Sequence, residues 1–225
     1  MPLTNGCFFS YRRRPGNDIY NKFVEGLFKT LYDELDSLGV SIFRDKPNLE
    51  EGQFLAESIG PQLCKSACLV VVYTPDYFNR KKPWCAREFM GMQRLEGARL
   101  PLLAEPQQKT YGLIIIVVFR GEETLFESVK NRLYFNFSEY TLSETSIPEN
   151  PLYAPKIKEM AGYIFNRLRN LSELPSDPSA NCDGHSLPAE AEAIAWLDSM
   201  MNGITRTEIK QQQTPDGMVN TLPFR

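Results

Sequence analysis

Leu69-Val70-Val71-Val72-Tyr73 is an unbroken apolar run, rich in β-branched residues and closed by the turn signal Thr74-Pro75-Asp76. A strand with one wet face alternates apolar and polar residues, whereas a strand that is apolar throughout needs cover on both faces. Such strands belong to parallel sheets sandwiched between helices. Leu113-Ile114-Ile115-Ile116-Val117-Val118-Phe119 has the same character. It is far shorter than the roughly 20 residues that a membrane-spanning helix requires, so it too reads as a buried strand.

Around these runs the apolar residues switch to a helical period. Ile19, Phe23, Leu27, Leu31, Leu35 and Leu38 recur at intervals of three or four, which predicts a helix from Asp18 with one buried stripe, capped by Asn17 and stopped by Gly39. Gly6-Cys7-Phe8-Phe9-Ser10-Tyr11 precedes it as a strand ending before the turn Pro15-Gly16-Asn17. Val40-Ser41-Ile42-Phe43 follows as a strand, then a polar loop from Arg44 to Gln53 and a helix from Phe54 to Cys64. After the basic loop Arg80-Lys81-Lys82-Pro83, a helix beginning near Trp84 carries Phe89, Met92 and Leu95 inward. Leu133-Tyr134-Phe135-Asn136-Phe137 reads as a fifth, shorter strand, and Tyr153, Ile157, Met160, Ile164, Leu168 and Leu171 form the stripe of a last core helix. Alternating strands and helices of this length predict an α/β fold: a doubly wound, five-stranded parallel sheet with right-handed crossovers.

This domain is expected to span residues 1–171. Residues 172–225 then hold a breaker-rich linker, Pro175-Ser176-Asp177-Pro178-Ser179, and a C-terminal helical extension with Ser186 and Pro188 as start signals. The spacing of Ile194, Leu197, Met201 and Ile204 gives that helix an apolar stripe, to be covered either by its own domain or by another subunit.

At 42% hydrophobic and 24% charged residues, the chain can bury a core and is not disordered in composition. A formal charge of -3, with basic groups confined to Arg12–Arg14 and Arg80–Lys82, argues against a nucleic-acid partner, which needs a broad basic face. Met1-Pro2-Leu3-Thr4-Asn5-Gly6 lacks the basic-then-apolar pattern of a secretory leader, and no run suits a membrane span. The five cysteines (Cys7, Cys64, Cys68, Cys85, Cys182) are odd in number and contain no Cys-x-x-Cys pair. They support neither a disulfide framework nor a zinc site, and a cytoplasmic, reducing location is expected.

Ligands of open parallel sheets bind outside the carboxyl ends of the strands. The exits offer Ser10, Tyr11, Arg12, Arg13 and Arg14 after the first strand, Arg44 and Asp45 after the second, and Trp84 and Glu88 after the third. Guanidinium groups for phosphate, an aromatic face and a carboxylate make an inventory suited to a nucleotide. The sole histidine, His185, lies outside the core pattern, so a Ser-His-Asp or Cys-His apparatus has no base there. Neither Gly-x-Gly-x-x-Gly nor a Walker loop occurs, which argues against a redox dinucleotide and an ATPase.

Four fragments in order resemble the Toll/interleukin-receptor-like (TIR) domains, especially their NAD-consuming members. Phe8-Phe9-Ser10-Tyr11-Arg12-Arg13 is similar to the family's first strand and exit, and Phe43-Arg44-Asp45 with Leu49-Glu50-Glu51-Gly52-Gln53-Phe54 to the second strand and the BB loop. Ser66 and Val70-Val71-Val72-Tyr73-Thr74-Pro75 with Tyr77 resemble the third strand and exit; Trp84-Cys85-Ala86-Arg87-Glu88-Phe89 resembles the segment holding the family's catalytic glutamate. The resemblance covers about residues 6 to 170 and implies a flavodoxin-like sheet.

It further implies that Glu88 is the catalytic carboxylate, with substrate contacts expected from Ser10, Arg12, Arg13, Asp45, Gly52 and Trp84. Trp84 stands one helical turn before Glu88 and offers a stacking face. Asp45 orders its loop, and Gly52 supplies backbone freedom for gating. The implied activity is cleavage of the nicotinamide–ribose bond of NAD+, with NAD as substrate and no cofactor or metal. Nicotinamide in NAD+ is a cationic leaving group, so a carboxylate that stabilises the oxocarbenium-like centre suffices. A nearly free-standing TIR protein resembles the signal-producing members of antiphage systems such as Thoeris, in which a separate effector reads the product. Other TIR subunits are implied partners, as a homo-oligomer on activation. The alternative is a non-catalytic adaptor acting by self-association. A phospho-receiver is disfavoured: no acidic pair follows the first strand, and Tyr73-Thr74-Pro75 stands where its acceptor aspartate would be.

Overall fold

The structure, a computed structural model, describes residues 3–44, 54–103, 112–142, 146–174, 176 and 181–211. Five strands, β1 (Asn5–Tyr11), β2 (Ile42–Arg44), β3 (Ser66–Tyr73), β4 (Ile114–Val118) and β5 (Tyr134–Asn136), form one sheet in the order β2-β1-β3-β4-β5. Every neighbouring pair is parallel. This is the flavodoxin-like order, in which the chain winds outward from β1 to β2 and then returns to build the other half from β3.

All eight positions of β3 and all five of β4 are buried. Two helical layers supply the cover. α1 (Asp18–Asp36) packs against α5 (Ala154–Ser172) and on β1, while α5 also meets β1 and β3. α2 (Phe54–Cys64) pairs with α3 (Trp84–Arg99), which touches β1, β3 and β4. The single-turn helix α4 (Glu127–Lys130) leads into β5.

Local signals set the helix ends. The Asn17 side chain accepts a hydrogen bond from the Tyr20 amide at 3.1 Å, so it caps α1 as expected. Gly39 ends that segment with φ +70°, a left-handed conformation that a side chain would disfavour. The buried stripe of α1 differs from expectation at both ends. Tyr20, Phe23, Val24, Leu27, Leu31 and Leu35 are buried, whereas Ile19 is 53% and Leu38 44% exposed. Ile19 falls on the solvent side of the first turn, and Leu38 lies beyond the helix, where the chain turns towards β2.

Two buried charges brace the sheet. Arg99 donates through Nη1 to the Ser66 carbonyl at 2.8 Å and through Nη2 to the Cys64 carbonyl. Glu96 accepts from the Leu113 amide at 2.6 Å and pairs with Arg132 at 2.7 Å. Buried charges are tolerable only with such partners.

The cysteine expectation is corrected: Cys64, the last residue of α2, is disulfide-bonded to Cys182, with 5.3 Å between Cα atoms. Counting could not find the pair, because bonding needs proximity in space and these residues are 118 apart in sequence. Cys7, Cys68 and Cys85 are free and buried. The C-terminal helix α6 (Glu190–Gln211) docks on its own domain, burying Ala193 and Leu197 against Ala86 and Met90 of α3. Met201 is exposed, Ile194 is half-buried, and nothing is described of the side chain of Ile204. No described helix is long and apolar enough to cross a membrane.

Leu27→Ala is expected to lower unfolding free energy by about 2–5 kcal/mol, whereas Leu38→Ala should change it by no more than about 0.5 kcal/mol. Urea titrations of the two variants check the corrected helix phase; equal losses would contradict it.

Candidate active site

Register between β1 and β3 places Ser10 opposite Val71, near the carboxyl ends of both strands. The chain leaves these neighbours in opposite directions, which makes the gap outside them the topological switch point where such sheets bind ligands. Beyond β3 a turn closed by the Tyr77 amide on the Thr74 carbonyl (2.8 Å) brings Tyr77 back over the sheet end. α3 begins a few residues later and swings Glu88 over the same spot.

Three side chains meet there. Ser10 Oγ donates to Glu88 Oε2 at 2.5 Å and lies 2.6 Å from the Tyr77 hydroxyl. Burial, with smaller contributions from Cys85 and Glu88, holds the Tyr77 phenol well above its ordinary range, so it keeps its proton. Because the single Ser10 proton is directed to Glu88, the Tyr77 hydroxyl must donate to Ser10 Oγ. The result is a directed chain: Tyr77 to Ser10 to Glu88. Glu88 is 8% exposed, Ser10 2%, and Tyr77 is fully buried. Cys85 is buried beside them, and burial followed by the neighbouring Glu88 charge raises its thiol well above the usual range. It is a protonated, packed residue and not a nucleophile.

Arg12 reaches the same corner. Its Nε pairs with Asp76 Oδ2 at 2.6 Å, and its charge is felt at Cys85. Arg14 donates to Thr74 Oγ1 at 2.8 Å and lies over the Tyr20 ring. Asp76 and Tyr77 are the residues that sequence reading left without a role; only the resemblance quoted Tyr77, and no spacing rule couples it to Ser10.

The other expected residues are placed as follows. Arg13 is exposed. Trp84, a turn before Glu88, is 39% exposed and carries the Arg87 guanidinium 4.5 Å from its ring centroid. Arg87 itself donates to the Pro188 carbonyl at 2.6 Å, so it serves the C-terminal segment. Arg44 is anchored to Glu25 at 2.9 Å and to the Tyr11 hydroxyl at 3.1 Å, which makes it a brace between β2 and α1. Asp45 and Gly52 lie outside the described residues.

A cavity of about 410 Å³ lies elsewhere, past the end of β4, lined by Glu122, Glu123, Leu125, Lys130 and Tyr134. Two glutamates against one lysine suit an anionic dinucleotide poorly. Sheet topology and the buried carboxylate are therefore the better guide to the site than the size of that hollow. No group of side chains suited to a metal occurs among the described residues.

A doubly wound parallel sheet with a hydroxyl-bound glutamate at its switch point places the chain in the flavodoxin-like class of α/β proteins. Residues 8–146 match the family model described as TIR domain. That stretch exceeds half of the chain, and the chain belongs to the TIR domain family. Among solved structures it is similar to the TIR domains of the activated Roq1 resistosome directly recognising the pathogen effector XopQ. The likeness is 16% identity and a TM-score of 0.33, over 86% of this chain and 96% of that one, too weak to bear on fold or function. No curated protein matches.

Ser10→Ala removes the shared partner of two buried groups and is expected to destabilise the fold by about 1–3 kcal/mol, against roughly 0.5–1.5 kcal/mol for Tyr77→Phe, which deletes only the outer donor. Chemical denaturation measures both, and the reverse ranking would contradict the directed chain. A second expectation concerns pH. Cys68, pushed from 9.0 up to about 12, and Cys7, Cys85 and Tyr77 all titrate higher folded than unfolded, chiefly through burial. Their neutral forms favour the folded state fully below pH ~8, and this stability is lost as pH rises through the unfolded values towards the raised folded ones. Denaturation midpoints at pH 7, 8 and 10.5 should therefore be nearly level between the first two and fall at the third.

Proposed function

We propose that this TIR domain cleaves the nicotinamide–ribose bond of NAD+, with Glu88 as the central carboxylate. The observation that carries the reading is the placement of Glu88 at the switch point between β1 and β3, held by Ser10 in a family whose sequence model the chain matches. Rupture of the glycosidic bond releases neutral nicotinamide and leaves positive charge on the ribose C1′ and ring oxygen. A fixed anion close to that carbon lowers the barrier without acid catalysis of departure. Ribose hydroxyls can exchange for the Ser10 hydroxyl on Glu88, since both are donors of the same kind.

Arg12 and Arg13 supply charge for the pyrophosphate, Arg12 by leaving Asp76. Trp84 offers a stacking face at the domain surface, and Asp45 and Gly52 are proposed as further substrate contacts. NAD+ is consumed, so no cofactor is required. Water or a substrate hydroxyl completes the reaction to an ADP-ribose-derived product, a candidate signal in immune or antiphage defence read by a separate effector. Homo-oligomeric assembly with other TIR subunits in the cytoplasm is part of the same proposal.

One observation favours the adaptor reading: Glu88 is buried and Arg12 is already paired, so this conformation offers neither to a ligand. Catalysis then requires an opening step, and an obligate scaffold would need none.

Incubation with NAD+ and mass spectrometry of the products separates the two. Dilute and concentrated wild type are expected to release nicotinamide, and Glu88→Ala and Glu88→Gln to lose at least about 100-fold in rate. Intact NAD+ at every concentration would install the scaffold reading; variants as fast as wild type would refute the assignment of Glu88.

A further inference from the structure

The segment from Asn181 onward is built onto the α2–α3 face. At Gly60 of α2 a Cβ would stand 2.2 Å from the His185 carbonyl oxygen, and at Gly91 of α3 it would stand 2.9 Å from Leu63 and 3.3 Å from Leu187. Only glycine lets the arm lie this close. Lys65 pairs with Asp183 at 2.6 Å and Arg87 donates to the Pro188 carbonyl. α6 then presses Ala193, Leu197 and Trp196 against Ala86, Met90 and Phe89 on the helix that carries Glu88, and against Phe78 in the turn before it.

Beyond the disulfide, Leu187 joins the main core and Trp196 packs against it, while α6 itself adds only a small satellite cluster of Ala193 and Leu197 on Ala86 and Met90. Its outer ion pairs, Arg80–Asp198 and Arg94–Glu192, are solvent-exposed and so weak. Cys64–Cys182 changes the balance by keeping the start of the arm tethered, so that α6 re-docks as an intramolecular event at high effective concentration. Both sulfurs belong to buried residues, yet Cys182 sits in a single 3-10 turn between exposed Asn181 and Asp183, where small local openings admit a thiol.

We propose that Cys64–Cys182 is a reversible thiol–disulfide site, a latch that holds the C-terminal arm on α3 when oxidised and frees it when reduced. The reductant is a dithiol. Its thiolate attacks one sulfur, the S–S bond breaks through a mixed disulfide, and the second dithiol sulfur closes its own ring disulfide. Two electrons and two protons pass from the dithiol to Cys64 and Cys182, which become thiols. Release uncovers Ala86, Met90 and the ring faces of Phe78 and Phe89 that Trp196 covers, a new apolar surface along α3 and the turn before it. The latch is independent of whether Glu88 cleaves NAD+, because its readouts are labelling and amide exchange.

The test uses the full chain, purified without reductant and then treated with dithiothreitol. Alkylation followed by peptide mass spectrometry should label Cys64 and Cys182 only after dithiothreitol, while buried Cys7, Cys68 and Cys85 stay unlabelled until the chain is denatured. Hydrogen exchange in residues 186–201 should accelerate by at least about tenfold on reduction, with β1, β3 and β4 unchanged. The double variant Cys64→Ser/Cys182→Ser should exchange in the arm like the reduced protein with or without dithiothreitol. Labelling of Cys64 and Cys182 before reduction, unchanged arm exchange after it, or a sheet that loosens together with the arm would each overturn the latch.

Discussion

Parallel pairing of β1 with β3 is the constraint on which the rest of this structure depends. It unites a buried strand with its neighbour across the switch point and sets Ser10 opposite Val71. Side chains in a strand alternate between faces, so a slip of one residue would turn Ser10 to the opposite side of the sheet. The Tyr77–Ser10–Glu88 chain would then have no middle member. A backbone register thus determines whether α3 can bring a carboxylate to this corner without leaving it unpaired in a buried setting, where the cost would be several kcal/mol.

The site that results is closed. Burial keeps Tyr77 and Cys85 protonated, and Ser10 occupies one carboxylate oxygen of Glu88, so the corner is well satisfied as it stands. Such a corner can become reactive only if the groups that satisfy it are exchanged for substrate groups of the same kind. That links the chemistry to the segments around it. α3 bears Glu88 on its sheet side, Trp84 and Arg87 at its start, and the docked C-terminal arm along its outer side.

Much of this was legible in the chain. Unbroken β-branched runs announced buried parallel strands, and the three-to-four spacing in α1 and α5 announced amphipathic helices, because burial on two faces or on one stripe leaves a direct imprint on residue order. Glu88 and Ser10 were marked as candidates by motif order. The stripe of α1 was misjudged at Ile19 and Leu38, since periodicity gives the phase of a helix but not where its ends leave the core. Tyr77 went without a role because its partner stands 67 residues away, beyond any local pattern.

By itself, then, the sequence determined the class of fold and the order of its elements, which follow from local spacing and the cost of exposing apolar surface, while the carboxylate candidate Glu88 came from the resemblance of its segment to the TIR family. Tertiary structure alone decided which hydroxyl reaches Glu88, that Arg12 answers to Asp76, and that Cys64 meets Cys182. The physical reason is shared: hydrogen bonds, ion pairs and disulfides act over a few ångströms, and only the folded backbone converts separations of dozens of residues into distances of that size.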